Sequence, residues 1–297
     1  MQQHTIYNTY YFEGKGLHTG LYSHVAIKPA PVNTGIKFIR TDLADTVIQA
    51  VAENVSSTTR STTIASGKAE VHTIEHIMSA LTGMGVDNAI IEIDNMEMPI
   101  LDGSASFYAK AIADDGLVEQ SAERTYINIP QTIEIKDEKS GSWVRVEPSD
   151  KPSIDITVDF GSKVLGVQSA HWDETVDYAS QIAICRTFVF FHEIEFLFAN
   201  NLIKGGDVDN AIVIVEHPVS DEQLDRMSKL FNRSGLSVHE GYLNNLQLHF
   251  PNECGRHKLL DMIGDMRLSG GYLNAKITAF KPGHTINTKA AKAIREL

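Results

Sequence analysis

Two stretches of the chain repeat one pattern, in which alternating apolar and polar residues run into a proline, a loop follows, and the alternation resumes. Residues 25–29 and 36–40 form the first pair of alternating segments, and residues 144–148 and 154–158 form the second. Alternation with a period of two is typical of strands with one buried face. The pattern favours a chain of two similar halves that join near residues 120–126, although two unrelated hairpins would also produce it.

Each half also contains a stretch with helical periodicity. Residues 71–84 carry apolar side chains three and four positions apart, followed by a glycine, which predicts a helix with one face in the core. These side chains are Ile74, Ile77, Met78 and Leu81. In residues 256–266, His257, Asp261 and Asp265 lie four positions apart, in a row along one face of a second helix. Strands combined with such helices predict an α+β fold in which sheets pack on helices.

The composition excludes several classes of protein. The chain has 297 residues and a formal net charge of −12, from 26 lysines and arginines against 38 aspartates and glutamates. Nucleic-acid binding depends on clustered lysine and arginine, so the acidic balance argues against it. No apolar run reaches the roughly 18 residues that a membrane helix needs, and two cysteines do not make a disulfide framework. We therefore expect a cytoplasmic protein with no nucleic-acid partner and no transmembrane segment.

The first candidate for chemistry is the sequence His-Thr-Ile-Glu-His at residues 72–76. On a helix, the imidazoles of His72 and His76 would lie one turn apart, where both can bind one metal ion. Glu75 could then take a proton from a water at the metal. A polar helix face that happens to hold two histidines is the alternative interpretation.

A second pair of candidate ligands lies on the other predicted helix. His257 and Asp261 are four positions apart, a spacing that suits a shared metal ion but also a simple salt bridge. Together the two motifs supply three or four ligands that zinc accepts, and catalytic zinc typically uses three protein ligands plus water. The sequence therefore predicts a metal site shared by two distant segments.

Three other segments carry residues of possible functional interest. Residues 14–20 miss the spacing of a dinucleotide-binding loop by one position and no helical pattern follows, so a tight hairpin turn is the better interpretation. Residues 186–198 are dense in aromatic side chains, which fits either a core strand and helix or an apolar groove for a fatty acyl chain. His284 stands in a turn near the C-terminus, and a lone surface histidine usually has no function.

Seven motifs, in order along the chain, resemble those of the UDP-3-O-acyl-N-acetylglucosamine deacetylases, the LpxC family of zinc enzymes in lipid A synthesis. The motifs are Gly-Leu-His-Thr-Gly at 16–20, Thr-Ile-Glu-His at 73–76, Pro-Ile-Leu-Asp-Gly-Ser-Ala at 99–105, Arg-Thr-Phe at 186–188, Gly-Gly at 205–206, Arg-His-Lys-Leu-Leu-Asp-Met-Ile-Gly-Asp at 256–265, and Gly-His at 283–284 with Asn287. Because seven motifs in family order span nearly the whole chain, from about residue 14 to residue 287, the resemblance is specific.

The resemblance implies a two-domain α+β fold. Each domain repeats a β-α-α-β sandwich, and the two helix layers face each other across the active site. Residues 1–124 would form the N-terminal domain with the helix of Glu75 and His76. Residues 125–297 would form the C-terminal domain, with the helix of His257 and Asp261. An insert near residues 190–212 would form the passage for the acyl chain.

The resemblance also implies the ligands and the catalytic groups. Zn²⁺ would be held by His76, His257 and Asp261, and His72 would be only a neighbour on the helix face. Iron(II) would accept the same ligands. Glu75 would be the general base that activates water.

Four further residues complete the implied chemistry. Thr187 and Lys258 would stabilise the tetrahedral oxyanion. His284 would be the general acid that protonates the leaving amine, and Asp265 would keep its imidazole charged and oriented.

The implied substrate is a UDP-linked, 3-O-acylated N-acetylglucosamine, from which acetate is released. Phe188, Phe190, Gly206 and Lys258 would contact it. The implied setting is the cytoplasm of a Gram-negative bacterium, with a monomeric chain that is either complete or the deacetylase part of a fusion with a hydroxyacyl-dehydratase domain.

Two alternatives from other classes remain at this point. A metallopeptidase would use His72 and His76 together, and it would lose its metal on replacement of His72. A metal-stabilised binding module would unfold on chelation, whereas a catalytic site would lose activity with the fold intact.

Overall fold

The computed structural model describes residues 1–200, 202 and 204–297, without the side chains of residues 195, 198 and 199. Within the predicted acyl-passage insert, residues 201 and 203 and the side chain of Phe198 therefore lie outside the described residues. In the described part of the chain, no helix combines the length and the apolar character needed to cross a membrane.

The strands are β1 (Gln2–Ile6), β2 (Tyr10–Lys15), β3 (Tyr22–Pro29), β4 (Ile36–Arg40), β5 (Thr46–Gln49), β6 (Val55–Ser57), β7 (Thr63–Ser66), β8 (Ala69–Val71), β9 (Ala89–Ile93), β10 (Leu117–Glu123), β11 (Tyr126–Asn128), β12 (Ile133–Asp137), β13 (Ser142–Pro148), β14 (Ser153–Asp159), β15 (Val167–Asp173), β16 (Phe188–Phe190), β17 (Ile212–Ile214), β18 (Val238–His239), β19 (Tyr242–Leu243) and β20 (Tyr272–Phe280). The helices are α1 (Glu75–Gly83), α2 (Ser106–Asp115), α3 (Tyr178–Gln181), α4 (Phe191–Ala199), α5 (Asp221–Leu230), α6 (Glu253–Met266) and α7 (His284–Arg295), with 3₁₀ turns at Ala52–Asn54 and Arg267–Ser269.

Two large mixed sheets share one topology. The N-terminal sheet has the strand order β2-β3-β9-β4-β5, and the C-terminal sheet has the order β12-β13-β20-β14-β15, with β11 also paired to β20. In each sheet the central strand, β9 or β20, runs antiparallel to one neighbour and parallel to the other. The predicted α+β fold with duplicated topology is therefore confirmed.

The four segments with alternating hydrophobicity all form strands of these sheets, as predicted. In β13, for example, Val144 and Val146 are buried whereas Arg145 between them is exposed. The buried face of the C-terminal sheet packs against α6 and α7, and the apolar side chains of both sheets join one hydrophobic core. Burial on a single face explains why period-two alternation is visible in the sequence.

The two helix layers meet where α1 lies against α6. This contact is close because residue 264, in the last turns of α6, is glycine. A Cβ atom at Gly264 would overlap the backbone oxygen of Glu75 and approach the backbone nitrogen of Ser79 to 3.0 Å. The absence of a side chain thus allows the first turn of α1 to lie directly against α6.

The helix predicted over residues 71–84 begins later than expected, at Glu75. Strand β8 continues to Val71, His72 forms a bridge with Glu97, and Thr73 has a left-handed backbone with φ of 58°. The chain therefore turns between His72 and Glu75. The prediction that His72 and His76 share a helix face is wrong, because sheet pairing extends up to the helix.

Candidate metal centre

The three residues implied as ligands lie together where α1 meets α6. One nitrogen or oxygen atom from each of His76, His257 and Asp261 lies within 4.8 Å of the others. The Oδ1 atom of Asp261 is 3.8 Å from His76 Nε2 and 3.5 Å from His257 Nε2. All three side chains are buried. Two distant segments of the chain therefore present two imidazoles and one carboxylate to a common point.

The surroundings of these atoms suit a divalent cation. Asp261 Oδ1 is buried and accepts no hydrogen bond from the described residues, and such an orphaned acceptor is costly unless a cation binds it. Lys258 Nζ donates to the other oxygen, Oδ2, at 2.8 Å. His257 Nδ1 lies 3.0 Å from the backbone oxygen of Cys185. A proton on Nδ1, donated to that oxygen, leaves Nε2 with a free lone pair, as is usual for metal-bound histidine.

The charge states of the three side chains also suit a metal ion. Burial, together with the neighbouring His257, lowers the pKa of His76 to about 3. Burial likewise lowers the pKa of His257. For Asp261 burial raises the pKa, but nearby Lys258 and the histidines outweigh it, so the pKa lies below its usual range. Two neutral imidazoles and one carboxylate are a donor set that catalytic zinc and iron(II) sites both use.

Glu75 and His284 face each other beside this cluster. Glu75 begins α1 and directly precedes His76, whereas His284 begins α7. The distance from Glu75 Oε1 to His284 Nε2 is 3.7 Å. Burial raises the pKa of Glu75 to about 7, and His284 opposes the rise while Asp261 adds to it. A carboxyl group with this pKa exchanges its proton near neutral pH.

His284 is held by Asp265, one turn beyond Asp261 on α6. Asp265 Oδ2 lies 3.0 Å from His284 Nδ1 and accepts a hydrogen bond from Asn287 Nδ2 at 3.0 Å. Burial lowers the pKa of His284, but the charges of Asp265 and Glu75 raise it more, to about 9. The imidazole is therefore protonated at neutral pH. The expectation of a surface histidine is wrong, since α7 packs on α6 and leaves the side chain only 10% exposed.

A cavity of about 400 Å³ adjoins the cluster and is bordered by Thr187, Phe188, Gly206 and Lys258. The ring of Phe188 meets the ring of His257 edge-on at a centroid distance of 6.4 Å, and Lys258 Nζ lies 5.5 Å from the Phe188 centroid. Most of the remaining lining is apolar. These apolar residues are Leu17, Val189, Ile194, Phe196, Leu197, Ala211, Val213 and Phe231.

Phe190 supports this cavity without bordering it. Its ring packs at 6.4 Å from Phe188 and at 6.2 Å from Phe160, and it stacks with His192 at 5.6 Å. Part of the aromatic segment thus forms the cavity wall, and part packs behind it. A direct contact between Phe190 and a substrate stays a prediction.

His72 lies apart from the cluster. Its Nε2 is 3.3 Å from Glu70 Oε2, and its side chain is 25% exposed. It borders a second cavity of about 540 Å³, together with Arg60 and Lys204. Because a metallopeptidase site would need His72 and His76 on one ion, this geometry disfavours that alternative.

Thr62 connects the acid and the base, although no motif in the sequence marks it. Its backbone N–H donates to Glu75 Oε2 at 3.0 Å, and its hydroxyl donates to Asp265 Oδ1 at 2.6 Å. The same hydroxyl lies 3.2 Å from His284 Nδ1. Thr62 stands in a run of serines and threonines just before β7, where no spacing distinguishes it from its neighbours.

Glu97 is a second residue of the site that no motif in the sequence marks. This buried carboxylate accepts hydrogen bonds from the backbone N–H groups of His18 and Thr19 and from the hydroxyls of Thr19 and Thr73. It thereby ties the loop between β2 and β3 to the residues just before α1. The predicted hairpin is confirmed, with residues 16–21 between its strands. A side chain at Gly16 would overlap Glu97, which explains the glycine.

Comparison of the sequence with known proteins identifies a family of deacetylases. The family described as UDP-3-O-acyl N-acetylglycosamine deacetylase, LpxC, matches residues 3–234 and 231–296. A bifunctional enzyme LpxC/FabZ of Porphyromonas gingivalis is 46% identical over 99% of this chain, and one of Bacteroides thetaiotaomicron is 42% identical over 100%. The chain spans 64% and 65% of the lengths of these two relatives.

A shorter relative matches as well. The UDP-3-O-acyl-N-acetylglucosamine deacetylase of Thioalkalivibrio sulfidiphilus is 36% identical over 99% of this chain and 90% of its own length. Since both the family match and this relative extend over nearly the whole chain, the protein belongs to the LpxC family of metal-dependent UDP-3-O-acyl-N-acetylglucosamine deacetylases.

Proposed function

We propose that this chain is a Zn²⁺-dependent amidohydrolase that releases acetate from UDP-3-O-(3-hydroxyacyl)-N-acetylglucosamine, the committed step of lipid A biosynthesis. The observation that carries the proposal is the arrangement of the candidate ligands, the base, the acid and the apolar cavity. The cluster of His76, His257 and Asp261 has a base and a protonated acid, Glu75 and His284, at its side and an apolar cavity beyond. The relative from Thioalkalivibrio sulfidiphilus, a UDP-3-O-acyl-N-acetylglucosamine deacetylase, supports this substrate.

The ion would be held by His76, His257 and Asp261, whose charge states and orphaned oxygen suit it. When bound, Zn²⁺ supplies Lewis acidity, which makes water more acidic and polarises a carbonyl oxygen. Fe²⁺ accepts the same ligands and is the second candidate.

Glu75 is proposed as the general base that takes the proton from the attacking water. Its Oε2 is fixed by the N–H of Thr62, so Oε1 is the oxygen that faces the reaction space next to His284. Because its pKa is about 7, an appreciable fraction of the carboxylate is ionised at neutral pH, and it can also hold the proton it receives.

His284 is proposed as the general acid. An amine leaves the tetrahedral intermediate poorly unless it is protonated, and the protonated imidazole can donate from Nε2. Asp265 accepts at Nδ1, which keeps the ring charged and directs Nε2 towards Glu75. The base and the acid would thereby both border the space next to the metal ligands, where the amide of the substrate is proposed to lie.

Lys258 and Thr187 are proposed to stabilise the oxyanion. Both border the cavity beside the metal ligands, and Lys258 is anchored by its hydrogen bond to Asp261. Burial opposes the charge on Lys258, but the contact with Asp261 raises its pKa above the usual value. A fixed ammonium group in a largely buried site strongly stabilises developing negative charge.

The apolar cavity bordered by Phe188 and Gly206 is proposed to hold the acyl chain, with Phe190 behind it. The diphosphate of the substrate carries negative charge, whereas the chain has a net charge of −12. Positive charge must therefore be concentrated locally, and Lys258 supplies it next to the cavity.

The remaining features of the whole protein are proposals as well. We propose domains at residues 1–124 and 125–297, supported by the pairing of β10 with β1 and of β11 with β20. The names of the bifunctional relatives support a fusion to a hydroxyacyl-dehydratase domain. A monomer and a cytoplasmic location in a Gram-negative bacterium are further proposals, which light scattering and cell fractionation test.

The decisive experiment measures acetate release from the UDP-sugar lipid before chelation, after chelation, and after addition of Zn²⁺ or Fe²⁺. We expect activity to disappear on chelation while the circular dichroism spectrum is retained, and to return with metal. If the metal-loaded chain releases no acetate, the proposed function is wrong. If chelation unfolds the chain and no activity is found, the binding-module alternative is favoured.

A further inference from the structure

A polar cavity of about 320 Å³ lies between the two sheets and shares no lining residue with the cavity at the metal centre. Loops at residues 33–36 and 87–88 form one wall, and the turn at residues 267–272 forms the other. Its lining includes two arginines, Arg267 and Arg295. The proposed deacetylation leaves this cavity without a role.

Arg267 borders this cavity as a buried cation that forms no ion pair with a carboxylate of the described residues. Its residue exposure is 6%, and its Nη2 reaches only the backbone oxygens of Val86 and Asp87, at 3.4 and 3.2 Å. Its Nη1 is buried and has no hydrogen-bond partner among the described residues. The guanidinium lies 4.2 Å from the ring centroid of Tyr272. A stacked ring and two long contacts to neutral oxygens do not balance the charge.

The neighbouring charges are already paired with one another. Arg124 forms two hydrogen bonds with Asp87, at 2.8 and 2.7 Å. Arg295 pairs with Glu53 at 2.6 Å. Among the described residues, Asp87 is thus paired with Arg124 and Glu53 with Arg295. Asp87 also borders the cavity and acts on Arg267 from a distance, but no carboxylate in the described part of the chain forms an ion pair with Arg267.

A buried charge without a partner is costly, and its natural partner is an anion. Arginine offers a planar fork of N–H donors that matches the oxygens of carboxylate and phosphate groups. The carboxamides of Gln3, Asn33 and Asn88 give the cavity a polar wall, which does not suit an acyl chain. The volume is within the lower range for small-molecule sites.

We propose that this cavity is a second ligand site, which binds a small polar molecule through a phosphate or carboxylate group placed against Arg267. Arg295 would contribute from the rim, because its side chain is 29% exposed and it already shares its charge with Glu53. The anionic group of the ligand would neutralise the charge of the Arg267 guanidinium.

The test is isothermal titration calorimetry of the full chain with inorganic phosphate and, separately, with acetate at constant ionic strength. We expect one of the two to bind at a single saturable site and to identify the anionic group. Arg267→Gln should weaken that binding about tenfold or more. Arg145→Gln, which removes an equal charge from an exposed pair with Glu134, should change it less than about twofold.

Two further variants guard against misfolding and against binding elsewhere. Arg295→Gln leaves the buried arginine in place and should weaken binding by a smaller factor than Arg267→Gln. Lys258→Gln changes the site near the metal cluster and should leave the binding unchanged. No saturable binding of either anion would overturn the proposal. So would binding that Lys258→Gln abolishes, or binding that neither Arg267→Gln nor Arg295→Gln weakens.

Discussion

The contact between Asp265 and His284 should set the alkaline limit of the activity. The pKa of His284 is raised from 6.5 to about 9, against the effect of burial, and the charge of Asp265 is the largest contribution to the rise. This rise corresponds to about 3 kcal/mol of preference for the protonated ring. Asp265→Asn removes the charge but keeps the size and one acceptor oxygen. We expect the pKa of His284 to return to about 6.5 or lower.

The direction of the pH effect follows from the role of His284. A general acid must be protonated, so kcat/KM falls as the pH rises through its pKa, and a lower pKa moves that fall to lower pH. At pH 8 the protonated fraction should decrease from about nine-tenths to about a thirtieth, so kcat/KM should fall about thirtyfold. At pH 6 the difference should be much smaller.

The assay is kcat/KM for acetate release between pH 5 and 10, with metal content measured on the same samples. Thr62→Val is the matched control, because it removes a hydrogen bond to Asp265 but leaves the charge. Its alkaline limb should move less than that of Asp265→Asn. An unchanged alkaline limb in Asp265→Asn, with metal content intact, would refute the assignment of His284 as the acid.

Four further changes test the site and its support. Glu75→Gln should keep the metal but lower kcat by about 10²–10⁴ and remove the acidic limb near pH 7; equal turnover contradicts the base assignment. His257→Ala should abolish stoichiometric metal by elemental analysis, and retained metal excludes this ligand. His72→Ala should keep both metal and activity, whereas metal loss favours the peptidase. Gly264→Ala should lower the free energy of unfolding in urea by about 1–3 kcal/mol, and an unchanged midpoint argues against the tight helix contact.

The sequence predicts those parts of the fold that depend on local periodicity. Alternation along residues 144–148 and 154–158 locates two strands of the C-terminal sheet, because each has one buried face. The four-residue spacing of His257, Asp261 and Asp265 is likewise kept on α6. Both signals survive because the secondary structure itself fixes which side chains share a face.

Contacts that depend on tertiary structure are not visible in the sequence. The start of α1 at Glu75 rather than residue 71 depends on the pairing of β8 with β7 and on the left-handed backbone of Thr73. Thr62 reaches Asp265 across 203 positions of the chain, so no local pattern marks it. The ion pair between Arg124 and Asp87 also depends on tertiary structure. Among the described residues it leaves Arg267 without an ion pair.

Because the ligands are divided between α1 and α6, binding of the metal ion by all three depends on the packing of these two helices against each other. A partly folded chain in which α6 has formed but α1 has not yet packed against it offers only the pair His257 and Asp261, and His76 completes the set when α1 docks. A metal ion bound by all three residues would then crosslink α1 and α6 and slow their separation. Loss of metal and parting of the two helices should accordingly occur as one event when the protein is denatured.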